Sequence, residues 1–190
     1  SKTIIFPSVF IGNMVSIGEN CYIDSGAKIG TSGFGFPRSK SGKIARIPQI
    51  GSVKIGNNVY IGANTTVDRG AIEDTIIGDN TKIDNLVQIA HNLKIGKECL
   101  IISQSGIAGS TKIGDYVTIA AQVGIVGHIT IGDGAIVGAK SGVSRSIPKG
   151  EIYSGIPARP HYDELRKEVV INKLPEIYKK LKEIEKHGRK

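Results

Sequence analysis

From Ile77 onward an aliphatic β-branched residue recurs at every sixth position: Ile77, Ile83, Ile89, Ile95, Ile101, Ile107, Ile113, Ile119, Ile125, Ile131, Val137 and Val143. Neither the 3.6-residue period of a helix nor the two-residue period of a strand produces such a run, and a fixed period is the mark of a repeat architecture. The same phase holds earlier, at Ile11, Ile17, Ile23 and Ile29 and again at Ile55, Ile61 and Val67. Two stretches interrupt it, an insertion loop within residues 31–54 and a shorter one within 69–76. The residue after each aliphatic is mostly small or acidic, as at Gly78, Asp84 and Ala90, and a small or aliphatic residue such as Thr81, Val87, Cys99 or Val117 stands four after it.

One inward aliphatic per six residues, with a small residue to turn the chain, lets three hexapeptides close a triangular coil. Successive coils then pair their strands at about 4.8 Å, and the stacked aliphatics supply a core that no single coil owns. The expectation is a mainly β protein, a left-handed parallel β-helix with three hexapeptides per coil, over residues 1–160. A core of many thin layers also suits a 190-residue chain with 25 Gly, four Phe and no Trp. Residues 161–190 change character and read as a short C-terminal α-helical extension. Leu165 and Val169 stand at helical spacing, Pro175 is expected to restart a helix, and Ile177, Leu181 and Ile184 form an i, i+4, i+7 stripe. Such a stripe caps the open end of a solenoid or packs against its copy in an oligomer. A membrane or carrier contact through its Lys-rich face is the narrower option.

No apolar run approaches the roughly 20 residues that span a bilayer, and Ser1–Pro7 lacks the apolar region of a secretory signal. A soluble, cytoplasmic protein without a transmembrane segment is therefore expected, with peripheral membrane contact left open. Cys21 and Cys99 fall at equivalent small-residue positions of the repeat, which points to buried core thiols rather than a disulfide or a metal site. The net charge of +8 and pI near 9.5 favour an acidic partner. Residues 161–190 carry nine Lys/Arg against six Asp/Glu, so +3 of the excess lies there and the rest is spread out. With so few aromatics to stack on bases, nucleic acid is the weakest of the acidic partners.

Two of the four histidines, His91 and His128, stand where a structural repeat needs no imidazole; His161 and His187 fall in the C-terminal segment, where solvated rings are expected. His91 lies two residues after Ile89, and the positions one and two coils on are Gly109 and Gly127, with His128 beside the second. Stacking puts His91 below a column without side chains, so a groove is expected there, narrow enough for a phosphopantetheine arm and flanked by an imidazole able to act as general base. His128 would lie two coil rises away, roughly 10 Å, better suited to a second contact than to a proton relay. Asp84, Asn85 and Gln88 precede His91, and a carboxylate or amide there would orient the ring; hexapeptides also carry acidic residues in the Asp84 slot for structural reasons. A zinc site of the kind built from three imidazoles at trimer interfaces lacks a third ligand.

The run Asp84-Asn85-Leu86-Val87-Gln88-Ile89-Ala90-His91-Asn92 resembles one family closely, as do Gly33-Phe34-Gly35-Phe36, Ile47-Pro48-Gln49-Ile50-Gly51, Thr66-Val67-Asp68-Arg69-Gly70, Gly127-His128 and Ser154-Gly155-Ile156-Pro157-Ala158-Arg159-Pro160. It is the UDP-3-O-(3-hydroxyacyl)glucosamine N-acyltransferases of lipid A biosynthesis. The resemblance implies a homotrimer with active sites between neighbouring subunits. It implies no tightly bound cofactor, the acyl-phosphopantetheine being delivered by acyl carrier protein to a UDP-acylglucosamine acceptor. His91 would be the catalytic base for the attack of the 2-amine, and a backbone N–H beside Gly109 or Gly127 would steady the oxyanion. His128 would hold substrate or carrier arm, Asp84 and Gln88 would belong to the site, and the basic surface near the C-terminal segment would meet the acidic carrier. The family's N-terminal uridine-gripping domain has no counterpart in this sequence, so weak nucleotide binding is expected. Two rival functions remain, a nucleotide-sugar N-acetyltransferase using acetyl-CoA and a non-catalytic β-helix assembly module.

Overall fold

The computed structural model describes residues 2–187, with side-chain environments given through residue 185. The chain winds as a parallel β-solenoid whose two- to four-residue strands stack into three sheets, here called faces A, B and C in the order the chain visits them. Face A begins at Ile4–Ile5 and has nine strands, face B begins at Phe10–Ile11 and has seven, and face C begins at Ser16–Ile17 and has six. Pairing is parallel and keeps one register. On face A Ile23 meets Ile61, which meets Ile83, then Ile101, Ile119 and Val137. Face B aligns Ile29, Val67, Ile89, Ile107, Ile125 and Val143, and face C aligns Ile17, Ile55, Ile77, Ile95, Ile113 and Ile131. The six-residue period is thus three inward columns read in rotation. From the second coil onward these columns are buried, each side chain contributing roughly 1.5–3 kcal/mol.

The position two residues before each inward aliphatic is buried too, apart from the partly buried Val9, Val15 and Ile129 near the two ends, and where a buried one is polar the group is satisfied. Thr81 Oγ1 donates to Gly96 O at 2.9 Å and accepts Cys99 N–H at 3.2 Å, and Ser105 does the same with Ala120 O and Val123 N–H. Cys21 and Cys99 take this slot as free, buried thiols, donating to Gly56 O and Gly114 O at 3.1 Å each. Burial pushes the Cys99 thiol up, as its core position requires. From Asn80 to Lys140 every corner passes through a left-handed residue at the same six-residue period, among them Leu86 (φ 58°), Asn92 (φ 61°), His128 (φ 62°) and Lys140 (φ 57°).

Strands Lys28–Thr31 and Val53–Ile55 absorb residues 31, 53 and 54 of the first expected insertion, because Thr31 pairs with Asp68 across a bulge. Thr66–Asp68 and Thr75–Ile77 likewise trim the second to 69–74. Both insertions leave the solenoid at the corner between faces B and C. At the far end Ile152–Ser154 extends face A, and Arg159–Pro160 folds back on it antiparallel, blunting an otherwise open edge. Helix α1 then runs from His161 to His187 without a break at Pro175, contrary to the restart expected from the sequence. The carbonyl that Pro175 leaves without an intrahelical donor belongs to exposed Ile171, so water can satisfy it. His161 is not a free ring: it is half-buried at the start of α1, with Ser154 Oγ 3.0 Å from its Nδ1. The side chain of His187 and residues 188–190 lie outside the described residues.

Candidate active site

The corner between faces B and C carries everything irregular in the solenoid: both insertions, His91, and the Gly109–Gly127 column. His91 is half-buried between two glycines. A Cβ on Gly33, from the first insertion, would stand 2.8 Å from His91 Cβ and 3.0 Å from Cδ2; a Cβ on Gly109, one coil on, would stand 2.6 Å from both Cε1 and Nε2. The ring therefore fills a slot that alanine on either side would close.

Asn92, the left-handed corner residue, fixes the ring's protonation. Its Oδ1 accepts Ala71 N–H at 2.9 Å while its Nδ2 donates to Glu73 O at 3.1 Å, so the second insertion pins the amide in one orientation. His91 Nδ1 lies 2.9 Å from that same Oδ1. Facing an acceptor, a neutral imidazole must carry its proton on Nδ1, which leaves the lone pair on Nε2 beneath Gly109. Asn92 went unnoticed in the sequence because asparagines already populate these corners, as at Asn58, Asn64 and Asn80.

Beside the ring opens a cavity of about 660 Å³, walled by Gly33, Phe34 and Arg46 of the first insertion and by Asp68, Gln88 and His91. Asp68 is the second residue that sequence reasoning missed as a site group. It follows Val67 in a column otherwise filled by Gly30, Ala90, Ala108 and Val126, and that mismatch was the available signal. Its carboxylate is buried, with Thr31 Oγ1 donating to Oδ1 at 2.8 Å and Gln88 Nε2 to Oδ2 at 3.0 Å. Burial pushes this carboxyl above its ordinary range, while Thr31, the nearby His91 and Gln88 pull it back. A second, apolar groove of about 740 Å³ shares Gln88, Ala90 and Ala108 with the first and runs up face B past Gly106, Gly124 and Gly142 to Ile156 and Pro157.

Other expected site residues take different posts. Asp84 accepts Asn85 N–H and Ser103 N–H, and Asn85 Oδ1 accepts Ala63 N–H at 2.7 Å; both serve coil-to-coil stacking and line neither cavity. His128 is exposed at a left-handed corner and lines neither cavity. Gly127 matters through what it lacks. At the corner between faces C and A, Asn and Asp side chains accept the N–H of the residue one coil below: Asp79 that of Asn57, Asp115 that of Lys97, Asp133 that of Asp115. Gly127 stands in the corresponding position above Gly109 and offers no acceptor. Among the described residues no protein group accepts the N–H of Gly109, the residue one coil above His91, so its hydrogen-bonding capacity is unspent.

Models of bacterial transferase hexapeptide repeats match residues 74–109 and 110–145, and a hexapeptide repeat of succinyl-transferase matches 52–85. Among solved structures, a UDP-N-acetylglucosamine acyltransferase from Francisella novicida superposes with TM-score 0.72 at 24% identity, over 93% of this chain and 68% of that one. One from Moraxella catarrhalis gives 0.70 at 24%, over 93% and 77%; at such identities the likeness shows the fold. The UDP-3-O-acylglucosamine N-acyltransferase of Rhizobium meliloti is 58% identical over 79% of this chain and 42% of its own length. UDP-3-O-acylglucosamine N-acyltransferase 1 of Francisella tularensis subsp. holarctica is 54% identical over 98% of this chain and 54% of its own. The chain spans about half the length of these curated relatives. It belongs to the UDP-3-O-acylglucosamine N-acyltransferase family.

Proposed function

We propose that the protein transfers a 3-hydroxyacyl group from the phosphopantetheine thioester of acyl carrier protein to the 2-amine of UDP-3-O-acylglucosamine, with His91 as general base. The observation that carries this reading is the His91 imidazole, its Nδ1 proton fixed by Asn92 and its Nε2 bare beneath Gly109, a residue whose backbone N–H is unspent. The amine nitrogen attacks the thioester carbonyl carbon and His91 Nε2 takes its proton. The carbonyl π pair moves to oxygen, where the Gly109 N–H meets it. Collapse of the adduct forms the amide and expels the thiolate, which takes the proton back from the imidazolium.

The groove on face B suits the donor. A Cβ at Gly106 or Gly124 would meet nothing within 4 Å, so the fold of this chain does not demand glycine there. Bare backbone at both positions suits the close approach of an alkyl chain, a pantetheine arm or a neighbouring subunit. Arg46, whose one partner among the described residues is Ser32 Oγ at 3.3 Å, offers a cation on the rim for a phosphate of either substrate. His128, two coils above His91 at the same corner, would contact the arm farther from the reaction.

A homotrimer, with the left-handed coil expected from its hexapeptides, completes the proposal. Val170, Leu174, Ile177, Leu181 and Ile184 of α1 are all exposed in one chain and alternate in steps of four and three, the spacing of a coiled-coil seam. The net charge of +8 suits an acidic carrier protein in the cytoplasm. The test measures N-acyl transfer from 3-hydroxyacyl carrier protein by the intact chain and by His91→Ala. Transfer that falls about 10²- to 10⁴-fold in the variant, at unchanged melting temperature, supports the reading. Acetyl transfer from acetyl-CoA, with none from the carrier, would replace it with a nucleotide-sugar N-acetyltransferase.

A further inference from the structure

We infer that Asp68 is a positioning residue of this site, its carboxylate serving as counter-ion to the positive charge that forms on His91 when the ring takes a proton. The acid-base consequence rests on the reading of His91 as base; the charge pairing itself does not. In the familiar arrangement a carboxylate bonds to the far ring nitrogen and offsets the charge through that contact. Here the far nitrogen, Nδ1, meets a neutral amide, so orientation and charge compensation are divided between two residues. Asp68 is the one carboxylate among the residues lining the cavity beside His91, and it is buried, so solvent screens it poorly.

The other charged groups near the ring do not do this work. Arg46 lines the same cavity with a positive charge and opposes imidazolium formation. Glu73 lies on the far side of Asn92, and its carboxylate is engaged by Lys94 at 2.9 Å. Asp68 is also held in place: Thr31 grips one oxygen and Gln88 the other, and each oxygen keeps accepting capacity beyond that bond. A purely structural role is the rival, since the Thr31 bond also ties the strand at the root of the first insertion to the next coil. The two roles separate because one depends on charge and the other on a hydrogen bond.

The experiment follows the Cε1–H proton resonance of His91 against pH, assigned by its loss in His91→Ala, for the intact chain, Asp68→Asn, Asp68→Glu and Thr31→Val. Charge pairing requires the midpoint to fall by about half to one pH unit in Asp68→Asn. It should stay within about a fifth of that change in Asp68→Glu, which keeps the charge, and in Thr31→Val, which removes only the anchor. The acidic limb of kcat/KM should move with it, and kcat should drop about tenfold with KM little changed. An unmoved midpoint in a cooperatively melting Asp68→Asn protein overturns the inference, as does an equal shift in Thr31→Val. Should Asp68→Asn fail to fold, a midpoint that shifts in Asp68→Glu as far as the predicted loss overturns it, and one that holds supports it. A shift confined to Asp68→Asn in a protein that transfers no acyl group leaves the pairing standing and removes the acylation reading.

Discussion

Two corners of the same solenoid share a backbone path and differ in what the sequence hangs on it. Between faces C and A the carboxylates of Asp79, Asp115 and Asp133 close the N–H of Asn57, Lys97 and Asp115, each one coil below. Between faces B and C no side chain of His91, Gly109 or Gly127 accepts an N–H from the coil below, and both insertions leave the stack there. The first corner shows what the repeat needs to be stable; the second shows what it gives up to make room for chemistry. Acceptors removed from one corner leave a donor, a slot for one ring and a groove, all at fixed coil spacing. The scaffold supplies positional precision, because each group rides on a rung whose height is set by the strand ladder.

The comparison can be broken from either side. The largest effect after loss of His91 itself should come from Gly109→Ala, whose Cβ would meet Cε1 and Nε2 at 2.6 Å. Steady-state kinetics should show kcat reduced about a hundredfold, as expected when a base is misplaced by an ångström, while circular dichroism melts change little. A Gly109→Ala enzyme of full activity would mean that the ring is not held in the slot. At the opposite corner Asp115→Ala removes the acceptor of the Lys97 N–H and should cost about 1 kcal/mol in urea denaturation with kcat untouched. A large loss of activity there would deny that the two corners divide stability from chemistry.

The smallest effect concerns acid. Asp74 is held below its ordinary range by its hydrogen bond to Lys54, with help from Ser52, so it stabilises the fold above its unfolded pKa and loses that contribution as pH falls through the folded one. Its side chain is partly exposed, so Asp74→Asn should cost a few tenths of a kcal/mol at neutral pH and flatten the decline on acidification. Asp68 carries the opposite sign. Its raised carboxyl favours the native state below its unfolded pKa and loses that contribution as pH rises through the folded one, so Asp68→Asn should keep its stability at neutral pH.

The fold was legible because the inward columns are strictly periodic, above all in the unbroken run from Ile77 to Val143. His91 was legible for the complementary reason, as an imidazole whose register position holds glycine in the next two coils. Asp84 and Asn85 show the limit of proximity in sequence, since the three or four positions from them to Gln88 suffice to turn a side chain from the groove to the ladder. Asp68 lies twenty-three residues before His91 and on the preceding coil, so only stacking brings them to one cavity. Pro175 marks another limit, because propensity argued for a break where an exposed carbonyl lets the helix continue.

The register of the coils makes the molecule's length a counted quantity. Ile17 aligns with Ile55 and Ile55 with Ile77, although the first pair is separated by twenty residues more than the eighteen of an ordinary coil and the second by four more. Neither excess is a multiple of six. Because both loops depart and return at one corner, the excess never propagates into the stack. Six residues added within a coil would instead rotate every later position by one face and carry His91 away from its groove, whereas eighteen added above Val143 would insert a storey and leave the site unchanged. Such a chain can lengthen or shorten by whole coils, and diversify freely at one corner, while its reaction centre keeps its coordinates.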